Sequence, residues 1–361
     1  MGVKFIHTAD VHLKRDDPLR LEILSWIVSQ AKQLADGLII AGDLFESDIE
    51  ASFLRGRVRE IFQKASPLPI LIIPGNHDSG SFSCGTEYGD NVLLLSEKPS
   101  LKEFRGLKIA AVPFKENAGF SDSLEALTLG VLKSEDVVFD IVITHGTLYD
   151  KNFANIYAEL EEEAKYMPIY SYEIQDKMRY LALGHYHSRF SEITFEKTKA
   201  VYPGSPVVTT ARDIGVRYVA LVEIDRETIR IERIPVKIAP YWERIEWIVF
   251  PGKEEEKLAE IENDIKRKAG EKVMLQGVIK GSIKIAEKKF REKIREIEEK
   301  YKSNFKALTL VDTAVKDWTK ILEDNPLLAL FVKKLGDVSC EELLKEKALE
   351  LTLSSLERLR E

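Results

Sequence analysis

A chain of 361 residues with 44% hydrophobic content can bury a sizeable core, and its length suits a large α/β domain followed by a lesser one. A formal net charge of −7 excludes a surface coated in basic residues, although a local basic stripe can still track phosphates on an acidic molecule. Cys84 and Cys340 are the only cysteines and form no CxxC arrangement, which argues against a disulfide framework or structural zinc and makes a reducing cytoplasm the expected compartment.

The chain enters a strand at once, Val3-Lys4-Phe5-Ile6, with no basic segment and apolar stretch before it. No apolar run reaches the width of a bilayer, so neither a signal peptide nor a membrane span is expected. Lys and Glu dominate the 31% of charged residues, a bias shared with thermophile proteins. Strands are predicted over Val3–Thr8, Gly37–Ala41, Ile70–Ile73, Lys108–Pro113, Val138–Thr144 and Tyr180–Leu183. Between the first two, Leu21, Leu24, Ile27, Val28, Ala31 and Leu34 recur at helical spacing, so a sheet with helices packed against it is expected.

After His187 the texture changes to short alternating runs, Phe190–Phe195, Ala200–Tyr202, Tyr218–Ile224 and Thr228–Ile234, which predict an antiparallel second sheet. Pro235 and Pro240 bracket a boundary, giving a first domain over 1–240. A βαβαβ pattern follows over 241–325, with strands around Ile245–Phe250, Val273–Ile279 and Ala307–Val311 and charged helices over Glu254–Lys268 and Ile283–Lys300. Interspersed Glu and Lys on those helices point to helix-stabilising pairs on exposed faces rather than to a basic patch. A helical extension over 326–361 carries Leu327, Leu328, Leu330, Phe331 and Leu335, then Leu343, Leu344, Leu349, Leu351, Leu353, Leu356 and Leu359.

Five of the six histidines fall in one ordered set of motifs: Asp10-Val11-His12, Gly42-Asp43, Gly75-Asn76-His77-Asp78, His145-Gly146 and Gly184-His185-Tyr186-His187. Each follows a predicted strand, and open α/β sheets gather ligand sites at that edge, so the motifs are expected to converge. Asp10 and His12 lie two apart, which in extended backbone points both side chains the same way. Gly42 and Gly75 would permit tight turns. Carboxylate, amide and imidazole donors without sulfur suit manganese, iron or zinc. One carboxylate shared by two cations would hold them ~3.5–4 Å apart, a spacing suited to phosphoryl chemistry. His7, outside the set, reads as a support for the first strand, and Asp78 as a turn former.

Together the motifs resemble the calcineurin-like metallophosphoesterase superfamily. Asp10-Val11-His12-Leu13, Ala41-Gly42-Asp43-Leu44-Phe45 and Tyr202-Pro203-Gly204-Ser205 are similar to its DNA-repair branch, the SbcD and Mre nucleases. The resemblance implies an α/β fold, a metallophosphoesterase β-sandwich flanked by helices, then a small α/β capping domain and C-terminal helices. It implies that Asp10, His12, Asp43 and His187 hold one divalent metal ion, and that Asp43, Asn76, His145 and His185 hold a second, with Mn²⁺ foremost and Fe, Zn or Mg as alternatives. His77 would be the catalytic residue that stabilises the transition state or protonates the leaving oxygen, oriented by an acceptor such as Asp10. Implied partners are DNA, an SMC-like ATPase of the Rad or SbcC type docking on the Leu-rich tail, and a second copy in a homodimer.

Lys14, Arg15 and Arg189 are the candidate substrate-binding residues, with Arg20 beside them, because they flank the first and last motifs and could neutralise phosphates. Two positions depart from the branch: Glu46 stands where many relatives carry a histidine, and Lys14 where they carry a glycine. An acidic Glu46 would repel phosphate, so exonuclease polarity is not carried over. A cyclic-nucleotide phosphodiesterase and a non-enzymatic scaffold for the ATPase are the alternative functions.

Overall fold

The computed structural model describes residues 2–82, 88–96, 98–115, 138–149, 167–174, 177–211 and 213–339, together with 344–345, 347–349, 351–352 and 355. Cys84, Cys340, Leu343, Leu353, Leu356 and Leu359 lie outside the described residues. The chain divides into two compact units, Met1–Tyr241 and Trp242–Glu361.

In the first unit two six-stranded sheets are formed. One contains β1 (Val3–Thr8), β2 (Gly37–Ala41), β3 (Ile70–Ile73) and β4 (Val92–Leu94), all parallel, extended beyond β1 by antiparallel β13 (Tyr218–Ile224) and β14 (Ile229–Pro235). The other has a parallel centre of β6 (Leu107–Val112), β7 (Phe139–His145), β10 (Met178–Gly184) and β12 (Thr198–Tyr202), edged by antiparallel β5 (Ser100–Phe104) and β11 (Ser191–Phe195). A two-stranded parallel pair, β8 (Thr147–Tyr149) and β9 (Pro168–Tyr170), follows β7.

The expected antiparallel second sheet is therefore corrected. The runs after His187 are divided between both sheets: β11, β13 and β14 serve as antiparallel strands, whereas β12 joins the parallel centre of the second sheet. Alternation marks a strand with one buried face, and edges of two sheets satisfy that pattern as well as a sheet of their own.

Alternation also builds the layers. On β1 to β3, Ile6, Leu38, Ile40, Ile70 and Ile72 pack against the buried faces of α1 (Pro18–Leu34) and α2 (Asp48–Gln63). Phe5, Ile39, Leu71 and Ile73 point the other way, into a core shared with Ile109, Ile141, Ile143, Tyr180 and Val201 of the second sheet. α2 starts at a true cap, the Ser47 side chain accepting from the Glu50 amide.

His7 sits in that inter-sheet core, fully buried, with Nδ1 2.8 Å from the Tyr180 hydroxyl on the opposite sheet. Burial pushes its pKa down to about 3, so the ring is neutral and the hydrogen bond is a polar tie across an apolar interface.

In the second unit, β15 (Tyr241–Val249), β16 (Gly270–Ile283) and β17 (Phe305–Asp317) form a sheet in that order. Two helices, α3 (Glu254–Lys268) and α4 (Glu287–Tyr301), bury Leu258, Ile261, Ile265, Phe290, Ile294 and Ile297. The charged residues also pair between these helices, as in Lys293–Glu255 and Lys300–Glu262. Beyond α5 (Trp318–Asp324), α6 (Pro326–Asp337) begins the Leu-rich extension. Leu328, Phe331, Val332 and Leu349 pack with Trp318, Ile321, Leu322 and Phe250, so part of this extension is covered by its own unit. Leu327, Leu330, Leu344 and Leu351 are exposed. No helix among the described residues is long and apolar enough to cross a membrane.

The His7–Tyr180 tie generates a stability prediction. Tyr180→Phe should lower the urea midpoint by an amount equivalent to about 1–3 kcal/mol, because the buried ring nitrogen loses its partner. An unchanged midpoint would show that the tie contributes nothing.

Candidate metal centre

The C-terminal ends of β1, β2, β3, β7 and β10 deliver five loops to one edge, and the two sheets meet there. Asp10 and His12 follow β1, Asp43 follows β2, Asn76 follows β3, His145 ends β7, and His185 and His187 follow β10. The first two loops are laced by backbone hydrogen bonds, Asp10 N to Gly42 O at 3.1 Å, His12 N to Asp43 O at 3.0 Å and Leu13 N to Leu44 O at 2.9 Å.

The expectation of extended backbone at Asp10 and His12 is corrected. Asp10, His12 and Asp43 have φ near +50°, and His185 has φ +104°. The loop reaches the cluster by left-handed residues because its amides must pair with the neighbouring loop, at an order of 1–3 kcal/mol per strained residue. Gly42 has φ +90°, as a tight turn requires. Gly75 serves differently: a Cβ there would collide with the Asp43 carboxylate, so its role is close approach rather than turning.

The side chains meet closely. His145 Nε2 lies 3.0 Å from Asn76 Oδ1 and 3.4 Å from Asp43 Oδ2, and His185 Nδ1 lies 3.2 Å from the same Asn76 oxygen. His12 Nε2 is 3.7 Å from Asp43 Oδ2 and 3.0 Å from His187 Nε2, which is itself 3.6 Å from Asp10 Oδ1. Asp43 Oδ2 thus stands between two groups of donors and, although buried, has no hydrogen-bond partner among the described residues. His145 Nδ1 donates to the Ala41 carbonyl at 2.9 Å, which leaves Nε2 as the nitrogen facing the cluster, where a cation would take the place of its proton. Buried lone pairs aimed at one another, with an orphaned carboxylate oxygen among them, fit divalent cations.

Electrostatics agree. Burial opposes the charge on Asp43, but His145 and His12 hold it well below the usual carboxylate range; Asp10, buried likewise, is held down by His187 and His145. Burial also opposes a charged His145, yet Asp43 and Asp10 raise it to about 9. Burial, with His145 nearby, puts His185 at about 4, and burial lowers His12 as well.

The neighbours of the cluster account for further motif residues. Asp78 accepts from the Gly75 amide at 2.9 Å and the Phe45 amide at 3.1 Å, so it both closes a turn and ties two loops; burial and Asp43 push it up to about 7. His77 is exposed; its amide donates to Asp43 Oδ1 at 2.9 Å and its Nδ1 donates to the Glu46 carbonyl at 3.1 Å. Glu46, not Asp10, is therefore the acceptor that orients the ring.

Of the candidate cations, Lys14 is half-buried and Arg189 exposed. Arg15 is committed to Glu50 and lies 3.9 Å over the Phe53 ring, so its charge is matched. Arg20 is corrected from a phosphate contact to a buried clamp, its Nη1 donating to the His12 carbonyl at 2.6 Å.

Several supporting residues escaped the sequence reading. Buried Arg217 donates to the Ser205 carbonyl at 2.9 Å, the Ser188 carbonyl at 2.8 Å and the His187 carbonyl. Ser205 Oγ donates to the Asp10 carbonyl at 2.7 Å, and the Tyr202 hydroxyl donates to Gly146 O at 2.8 Å. Thr209 Oγ1 lies 3.4 Å from His187 Nδ1 and donates to Asp213 at 2.6 Å. The Tyr202-Pro203-Gly204-Ser205 motif was the one available signal, and its physical role is to brace two of these loops.

Three solved structures are similar to about two thirds of this chain. A conserved uncharacterized protein from Streptococcus pneumoniae shares 19% identity over 66% of this chain and 91% of that one, with a TM-score of 0.32. Vps29 complexed with zinc from Entamoeba histolytica shares 12% over 65% and 99%, TM-score 0.30. A dimetal phosphatase from Danio rerio shares 10% over 65% and 96%, TM-score 0.38. Residues 3–227 match the family model of the calcineurin-like phosphoesterase superfamily domain, well over half of the chain, and the protein belongs to that superfamily of metallophosphoesterases.

Proposed function

We propose that this phosphoesterase is a Mn²⁺-dependent DNA nuclease of the double-strand-break repair type, acting with an SMC-like ATPase. The observation that carries the hydrolytic part is the convergence of seven candidate ligands from five loops, the orphaned Asp43 oxygen among them. In this reading Asp10, His12, Asp43 and His187 hold one cation, and Asp43, Asn76, His145 and His185 hold the other. Two such ions lower the pKa of water and offset charge on the phosphate oxygens. His77, fixed through its amide and Nδ1, presents an exposed ring that gives a proton to the departing sugar oxygen.

The choice of DNA is supported by the branch-specific motifs and by an aromatic ladder. Tyr149, four residues past His145, stacks on Tyr170, and Tyr170 on Tyr172, with centroids 5.5 Å apart at each step. Tyr172 is 69% exposed, and unpaired bases stack on such platforms. Lys14 and Arg189 are the cations left for phosphates. Exposed Leu327, Leu330, Leu344 and Leu351 are the proposed docking face for the ATPase, and exposed Ile49 and Phe53 on α2 that for a homodimer.

The test compares single-stranded DNA, duplex ends and cyclic nucleotides with Mn²⁺ present. DNA cleavage is expected to dominate. Turnover of cyclic nucleotides alone would assign a small-substrate phosphodiesterase, and binding of two Mn²⁺ with no turnover would assign a scaffold.

Two substitutions separate the roles. Asp43→Ala should abolish binding of both Mn²⁺ equivalents in calorimetry along with activity. His77→Ser should keep both and slow cleavage by roughly 10²–10⁴. Loss of metal in the His77 variant would contradict this division.

A further inference from the structure

Glu46 follows Asp43-Leu44-Phe45 and is pinned by its own amide, which donates to the Leu13 carbonyl at 3.1 Å. Its half-exposed carboxylate reaches His12: Oε2 lies 3.4 Å from His12 Nδ1 and 3.9 Å from Arg20 Nη1. His12 is 2% exposed, and among the described residues Nδ1 has no aligned hydrogen-bond partner, the Glu46 carboxylate being the acceptor within reach. The opposite ring nitrogen, Nε2, faces Asp43 and His187. Arg20, itself buried, holds the His12 carbonyl with one nitrogen and Asp17 with another at 2.9 Å. His12 is thus gripped at its backbone, and the carboxylate facing its ring edge is that of Glu46.

A neutral imidazole carries a single N–H, and only the other nitrogen can give a lone pair to a cation. A carboxylate on Nδ1 decides which nitrogen that is, makes the ring more basic and fixes its plane. We propose that Glu46 is a positioning residue of the metal centre: its side chain takes the Nδ1 proton of His12 and so commits Nε2 to the cation. The backbone carbonyl of the same residue takes the Nδ1 proton of His77, so one position sets both rings, whose centroids lie 4.8 Å apart. Glu46 keeps its charge in this role, half-buried beside His12 with the Arg20 guanidinium 3.9 Å away. This inference rests on the metal-centre reading above.

Manganese titration calorimetry on the full chain is the test. Glu46→Ala should weaken one of the two equivalents by about 10–100-fold, the usual cost of losing a ligand's outer partner, and spare the other. Unchanged affinity at both sites, with an unchanged melting curve, would overturn the proposal. A wild-type chain that binds no Mn²⁺ would instead sink the metal centre itself. A second measurement needs no variant: nitrogen-15 long-range correlation spectra of the zinc-loaded chain should show His12 protonated at Nδ1. Metal or a lone pair at Nδ1 would overturn the assignment.

Discussion

Asp43 carries a buried charge that the protein offsets chiefly through the neighbouring imidazoles of His145 and His12. Its carboxylate is buried at the seam of two sheets, one oxygen taken by the His77 amide and the other left facing His12 and His145 with no donor aligned to it. Those imidazoles are in turn aimed by acceptors on their far sides, the Ala41 carbonyl for His145 and the Glu46 carboxylate for His12. Leaving a buried charge unpaired is expensive, and aligned lone pairs repel. Divalent cations relieve both problems at once, so stability and chemistry share one requirement.

The fold meets the cost of holding this arrangement with rigidity elsewhere. Three largely buried parallel strands of the first sheet and two of the second end at the site, and first-sheet residues alternate between helix-facing and inter-sheet cores. Left-handed residues at four motif positions are sustained by hydrogen bonds between neighbouring loops rather than by local preference. Arg20 and Arg217 work as buried clamps on carbonyls at the His12 and His187 loops, a use of cationic side chains that has nothing to do with substrate.

Much of this was legible in the sequence because the strands are short apolar runs and each motif sits directly after one. Period and position suffice to bring Asp10, His12, Asp43, Asn76, His145, His185 and His187 to one edge. The backbone conformation was not legible: Asp10 and His12 were expected in extended chain, and only pairing with the Asp43 loop explains their positive φ. Assignment of the alternating strands after His187 failed for a related reason, since alternation reports one buried face and not which sheet supplies it. Glu46, Arg20 and Ser205 gained their roles from partners that no local pattern reveals, Ser205 lying almost two hundred residues from Asp10. Nor does the Leu-rich pattern of the extension show that Trp318, Ile321 and Phe250 pack against part of it.

Anomalous diffraction from crystals soaked in manganese tests the central claim most directly. Two peaks are predicted, one among Asp10, His12 and His187, the other among Asn76, His145 and His185, with the Asp43 carboxylate reaching both. No peak at the strand ends, or a single ion out of reach of Asp43, would contradict the account.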